Sequence, residues 1–239
     1  MKINYLFFGV SLFLACSSCS TDNWQLLFNG ENLEGWAQIN GEAKYFVENG
    51  EIVGETLLGS PNSFLCTEIN YSDFILEFDV LLEAPVNSGV QIRSESLENY
   101  RNGRVHGYQI EIDPLERRWT AGIYDEARRG WLYNLERNPK GKEAFRMGEW
   151  NHFRVEAIGN LIRTWVNDIQ CACLVDDLTA SGFIGLQVHN ISHKDQEGQK
   201  IRWKNIRIMT EDLESHRLQP DPEVPEISYL NNTLTEREI

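Results

Sequence analysis

Short stretches of strict apolar–polar alternation, separated by turn residues, recur along most of this chain. A period of two commits such a chain to β-sheet, because successive side chains of a strand point to opposite faces. Residues 74–82 set Phe74, Leu76, Phe78 and Val80 against Ile75, Glu77 and Asp79. Residues 89–93, 152–158 and 183–189 alternate in the same way, and 106–113 sets Tyr108, Ile110 and Ile112 against Gln109, Glu111 and Asp113. Asn49-Gly50, between Tyr45-Phe46-Val47 and Ile52-Val53, is the strongest two-residue hairpin signal. Asn167-Asp168 joins two further alternating runs as a second hairpin. In residues 200–209, Ile201 and Trp203 share one phase while Ile206 and Ile208 share the other, so a bulge is predicted near Lys204-Asn205. Helical periodicity is nearly absent. Strands at this spacing predict an all-β fold, an antiparallel jelly-roll sandwich.

The two ends of the chain read differently from the middle. Lys2, an apolar run over residues 5–14, and Ala15-Cys16-Ser17-Ser18-Cys19 resemble a bacterial lipoprotein signal over residues 1–18, with cleavage before Cys16 or Cys19. A lipidated Cys16 or Cys19 would then hold the protein in the cell envelope of a Gram-negative bacterium by its lipid alone; a plain secretory signal is the alternative. Residues 24–210 form the predicted domain. Residues 211–239, acidic and carrying Pro220, Pro222 and Pro225, read as an extended tail. A net charge of −14 argues against nucleic acid or an anionic membrane surface as partner. Cys66, Cys171 and Cys173 read as packed thiols, since a bond between residues two apart on a strand is strained.

The polar faces of the strands are of two kinds. Arg154 with Glu156, and Arg202 with Lys204, read as plain solvated faces. Glu77/Asp79, Gln91/Arg93, Gln109/Glu111/Asp113 and Gln187/His189 are more specific. Side by side they would line a wet surface with carboxylate, amide, guanidinium and imidazole. Rimmed by Tyr124, Trp131 or Trp119, that mixture suits a carbohydrate, whose hydroxyls need polar partners and whose ring faces need aromatics. The loop Asp125-Glu126-Ala127-Arg128-Arg129 is either held by its own ion pairs or offers its arginines to an acidic or keto oxygen.

The opening segment Trp24 to Trp36, reading WQLLFNGENLEGW, is followed in order by Asn87-Ser88-Gly89, Gly107-Tyr108, Gly122-Ile123-Tyr124, Trp150-Asn151, Trp165-x-Asn167 and Gly185-Leu186-Gln187-x-His189. This ordered set resembles the 3-keto-disaccharide hydrolase domain, a family common in lipoproteins of the Bacteroides type. The resemblance implies a concanavalin A-like jelly roll that cleaves 3-keto-glycosides, by hydrolysis or by elimination across the C1–C2 bond. The family positions matched here are Asp79, Arg93, Gln109, Glu111, Tyr124 and His189. Gln109 and Glu111 stand in exchanged order relative to the family, which places the chain in a subgroup.

A ketone at C3 acidifies the C2 proton, so a carboxylate or imidazole can remove it while donors stabilise the enolate. The expected catalytic residues are therefore Glu111 or His189 as base and Arg93 as support for the enolate. The expected substrate contacts are Asp79, Gln91, Gln109, Asp113, Tyr124, Asp125, Arg128, Arg129, Trp131 and Gln187. One divalent metal ion could replace the arginine, with Glu111, Asp79 and His189 as its ligands. The rival reading is a lectin-like lipoprotein that binds a glycan without cleaving it.

Overall fold

The computed structural model describes residues 23–230. The expected signal segment, with Cys16 and Cys19, lies outside the described residues. In chain order the strands are β1 (Gln25–Leu26), β2 (Trp36–Ile39), β3 (Lys44–Glu48), β4 (Glu51–Glu55), β5 (Ser63–Thr67), β6 (Phe74–Leu82), β7 (Ser88–Glu95) and β8 (His106–Ile112). They continue as β9 (Ile123–Glu126), β10 (Gly130–Tyr133), β11 (Asn151–Ile158), β12 (Leu161–Val166), β13 (Ile169–Val175), β14 (Phe183–Val188), β15 (Lys200–Met209) and β16 (Ile227–Ser228).

Two sheets form the sandwich. The first runs β16-β13-β12-β11-β6-β15-β4-β3, with β1 paired to β15. The second runs β10-β9-β8-β7-β14-β5-β2. The pairs in the second sheet are antiparallel, and so are those in the first except β13 with β16. Both predicted hairpins turn on paired left-handed residues: Asn49 and Gly50 at φ 55° and 77°, Asn167 and Asp168 at 49° and 67°. Such turns match the right-handed twist of the flanking strands. The β15 bulge is present, with Asn205 at φ 52° and the register against β6 shifting between Lys204 and Arg207.

The inner faces meet in one apolar core. From the second sheet come Val90, Ile92, Tyr108, Ile110, Ile112, Ile184 and Leu186; from the first come Phe78, Phe153, Val155 and Trp203. Phe78 and Phe153 stack with centroids 5.0 Å apart. Burying each such side chain contributes about 2–3 kcal/mol. Cys66, Cys171 and Cys173 are buried free thiols. Part of the acidic C-terminal segment packs as well: Leu213 and Val224 are buried, and the Tyr133 hydroxyl donates to the Pro225 carbonyl.

One polar face departs from expectation. Arg154 and Glu156 are largely shielded from solvent: Glu156 is 2 % exposed and is held by Arg154 and Arg163. The descending C-terminal segment covers it, through Leu218 N–H on Glu156 and Arg154 on the His216 carbonyl.

Candidate active site

On the second sheet, register decides what the outward face presents. Gln187, Gly89 and Glu111 lie in one row across β14, β7 and β8. Gly185, Gln91, Gln109, Tyr124 and Trp131 lie in the next row, from β14 to β10. Their neighbours in sequence point into the core, so the alternation forces these side chains to the other face. Over the two rows lies a polar cavity of about 280 Å³, lined by Asn62, Asn87, Arg104, Gln109, Glu111, Arg117, Tyr124, Glu126, Trp131, His189 and Asn190. That volume lies near the small end of ligand pockets and suits a single sugar ring.

Glu111 is the centre of a hydrogen-bonded chain of amides. Asn87 Nδ2 donates to one carboxylate oxygen at 2.6 Å and Gln109 Nε2 to the other at 2.8 Å. Gln109 Oε1 in turn accepts from Gln91 at 2.6 Å and from Gln187 at 3.0 Å. The Gln109 amide, accepting on one atom and donating from the other, is thereby fixed in one orientation, which steadies the carboxylate. Gly89 makes room for this arrangement, because any Cβ there would collide with the Gln109 side chain. Burial pushes the Glu111 carboxyl up to about 7, against the pull of the Asn87 and Gln109 hydrogen bonds. Nearby Asp113 adds to the rise and Arg117 opposes it. A carboxyl balanced near neutral pH can exchange a proton in either direction.

The walls of the cavity come from loops and from β9 and β10. Tyr124 and Trp131 meet edge to face at 5.2 Å, and Trp119 backs Trp131 at 4.7 Å. The Arg117 guanidinium lies over both indoles, 5.1 Å from Trp119 and 5.4 Å from Trp131, and is 2.7 Å from Asp113. Arg104 pairs with Glu126 at 3.1 Å. His189 Nδ1 is 2.8 Å from the Asn190 carbonyl, an acceptor, so Nδ1 carries the proton and Nε2 of the neutral ring keeps its lone pair. Asn190 is itself secured by Asn62, which accepts its N–H at 2.9 Å.

Glu111, His189 and Gln109 are thus brought together as expected from strand phase, with Tyr124 and Trp131 as the expected aromatic rim. Gln91 and Gln187 share the face but are fully buried beneath the cavity, where they hold Gln109. Asp113 stands behind the wall, fully buried, and anchors Arg117.

The remaining expected contacts lie elsewhere. Arg93 would follow Gln91 onto the outer face, but β7 bulges: Arg93 has φ +45° and the register against β8 shifts between Ile92 and Glu95. Its guanidinium crosses to the first sheet and donates to the carbonyls of Ser72, Ala157 and Gly159 and to Asp73. Asp79 belongs to the first sheet, where it accepts from Asn205 at 2.6 Å and pairs with His152 at 2.8 Å. Burial raises its carboxyl, but those two partners outweigh burial and hold it below its usual range.

Asp125 is opposite core-facing Tyr108, so it points inward while Tyr124 and Glu126 point out. It is fully buried between Arg128 at 2.6 Å and Arg129 at 2.5 Å, and Arg129 also grips Asp176 at 2.8 Å. Arg129 spends its donors inside the fold, and Arg128 donates there to Asp125 and Thr179 while its second terminal nitrogen is buried without a partner. With Asp79 on the other sheet, the three metal ligands expected from sequence do not converge. The described residues contain no group of three His, Cys, Asp or Glu side chains spaced to hold an ion.

Asn62, Asn87, Arg104, Arg117, Glu126 and Asn190 complete the cavity and were not among the expected contacts. Two carried a usable signal: Glu126, which shares the phase of Tyr124 on β9, and Asn87, which opens the Asn87-Ser88-Gly89 motif.

Residues 23–209 match the family described as the 3-keto-alpha-glucoside-1,2-lyase-like domain. Among solved structures, a candidate glycosyl hydrolase from Parabacteroides distasonis is similar at 20 % identity and TM-score 0.57, over 79 % of this chain and 94 % of that one. A second from the same organism is similar at 21 % identity and TM-score 0.54, over 78 % and 98 %. The carbohydrate-binding module CBM66 from Bacillus subtilis is similar at 16 % identity and TM-score 0.51, over 73 % and 95 %. At such identities these likenesses establish the shared sandwich fold alone. No curated protein matches the chain.

Proposed function

The chain belongs to the 3-keto-alpha-glucoside-1,2-lyase-like domain family, and on that premise we propose that the Glu111 cavity cleaves glycosides whose sugar carries a ketone at C3. The observation that carries this reading is the state of Glu111: buried, fixed by Asn87 and Gln109, and raised to about 7. Ionised Glu111 takes the proton from C2. The C2–H electron pair forms the C1=C2 double bond, and the C1–O bond breaks with its electrons on the departing oxygen. The ketone spreads the developing negative charge, and the side chains of Tyr124, Arg104 and Arg117 are the donors available around that space. The departing oxygen then takes a proton from water, and the hydroxide so formed recovers the proton that Glu111 carries. Once protonated, Glu111 needs an acceptor in place of one donor. Turning the Asn87 amide over supplies it, because Asn87 Oδ1 is buried without a partner.

The lipoprotein reading rests on the segment around Cys16 and Cys19 and is part of the same proposal: an exported, lipid-anchored enzyme of the cell envelope. Partition of the mature protein into detergent, abolished by replacing both cysteines with Ser, supports the anchor; recovery of the parent in the aqueous phase overturns it.

Incubation of the purified protein with an aryl 3-keto-glucoside tests the activity. Aglycone release proportional to enzyme, accompanied by an ultraviolet-absorbing enone, is expected; release without the enone indicates direct hydrolysis. Saturable binding with no turnover of several keto-glycosides assigns a carbohydrate-binding role and overturns catalysis.

A further inference from the structure

A second cavity of about 440 Å³ opens beside the first, and Asn62, Arg104 and Asn190 line both. Beyond those three it is lined mainly by Asn40, Phe64, Arg101 and Asn102, with no Asp or Glu. In a protein of net charge −14, a compartment built from amides, two guanidinium groups and one aromatic is a local reversal of sign. The two arginines are not equivalent. Arg104 is partly neutralised by Glu126, whereas Arg101 makes no ion pair among the described residues and only lies over the Tyr100 ring at 5.5 Å.

The loop that presents Arg101 is built rather than loose. The Tyr100 ring lies tilted against that of His106 with centroids 4.0 Å apart, and its hydroxyl donates to the Ala127 carbonyl at 2.7 Å. Asn40 ties the other side, donating to the Gly103 carbonyl at 3.1 Å and accepting from Val105 N–H at 2.8 Å. Arg101 and Asn102 take consecutive left-handed conformations, φ 42° and 56°, which cost energy in non-glycine residues and persist only where the surroundings impose them. An uncompensated cation on a preset loop, open to the reacting cavity, is a recognition device.

We propose that this second cavity selects substrates in which the group attached to the oxidised sugar is anionic, bearing a carboxylate, sulfate or phosphate that Arg101 meets. The proposal rests on the reading of the Glu111 cavity as the cleavage site. Charge-assisted hydrogen bonds from an exposed guanidinium give discrimination of about two- to fivefold.

The test compares 4-carboxyphenyl and 4-carbamoylphenyl 3-keto-glucosides, which have nearly the same shape and differ in charge. The ratio of their kcat/KM values in the parent, divided by that ratio in Arg101→Gln, removes intrinsic differences between the leaving groups. A quotient of about 2–5 that shrinks with added salt is expected; a quotient near one overturns the proposal while leaving the cleavage reading intact. Should neither probe be cleaved, the cleavage reading fails, and the same quotient taken from binding constants of the two unoxidised glucosides decides whether Arg101 selects an anion. Thermal midpoints of parent and variant confirm that the exposed substitution leaves the fold in place. Sulfophenyl and phosphophenyl analogues show which anion Arg101 favours.

Discussion

Gly89 and Gln109 lie so closely on adjacent strands that a Cβ on Gly89 would stand 2.6 Å from the Gln109 carboxamide carbon. The missing side chain on β7 is what lets the Gln109 amide lie flat and reach Glu111. Gly89→Ala must therefore push Gln109 aside and remove a hydrogen bond that holds the Glu111 carboxyl down. Overpacking of this kind costs about 1–3 kcal/mol of stability. The expected outcome is a cleavage rate lower by roughly tenfold or more and an activity profile displaced to higher pH. A variant with the parent's profile would mean that Gln109 does not tune Glu111.

Arg93 should matter for folding and not for chemistry. It is 1 % exposed and donates to three backbone carbonyls and to Asp73, bridging the two sheets. Arg93→Met takes the guanidinium from three carbonyls and should cost about 3 kcal/mol in denaturant unfolding, while Asp73, half exposed, keeps the Gly159 N–H and gains water. Below the unfolding transition, kcat/KM should stay within about twofold of the parent. A large loss of turnover in fully folded Arg93→Met would return this residue to the site.

Strand phase makes much of this arrangement legible in the sequence. Glu111 lies between Ile110 and Ile112, and His189 follows Val188, so burying the apolar residues turns both polar ones to the same outer face. Arg93 breaks the pattern because a bulge with an arginine at positive φ leaves no composition signal; only the contacts across the sandwich impose it. The inward turn of Asp125 is implicit in its phase, opposite to Tyr124, but its neighbours' partner Asp176 lies in a distant loop that no local pattern links to it. Arg104 and Arg117 come from irregular segments, where no period relates a residue to a face.

Protonation of Glu111 also makes stability depend on pH. Its carboxyl is raised from an ordinary 4.5 to about 7 in the folded protein. Below 4.5 it is protonated whether folded or unfolded, and nothing is lost. Between those values the unfolded chain releases the proton while the folded one retains it, so stability falls as pH rises; above about 7 the full penalty remains. Glu111→Gln carries no such charge and should be more stable than the parent at pH 8 by up to about 3 kcal/mol. At pH 4 the two should unfold at the same denaturant concentration. A variant less stable than the parent at pH 8 would contradict this reading of the buried carboxyl.

The most direct test of Glu111 as the base is the pH dependence of kcat/KM for cleavage of a 3-keto-glucoside, in the parent and in Glu111→Gln. The ionised carboxylate is the active form, so the parent's rate should climb with pH and level off, with a midpoint near the value of about 7 set by burial. The variant should lose about 10²- to 10⁴-fold and lose that rising limb with it. A Glu111→Gln protein that cleaves at near-parent rate, or that keeps the same rising limb, would contradict the account.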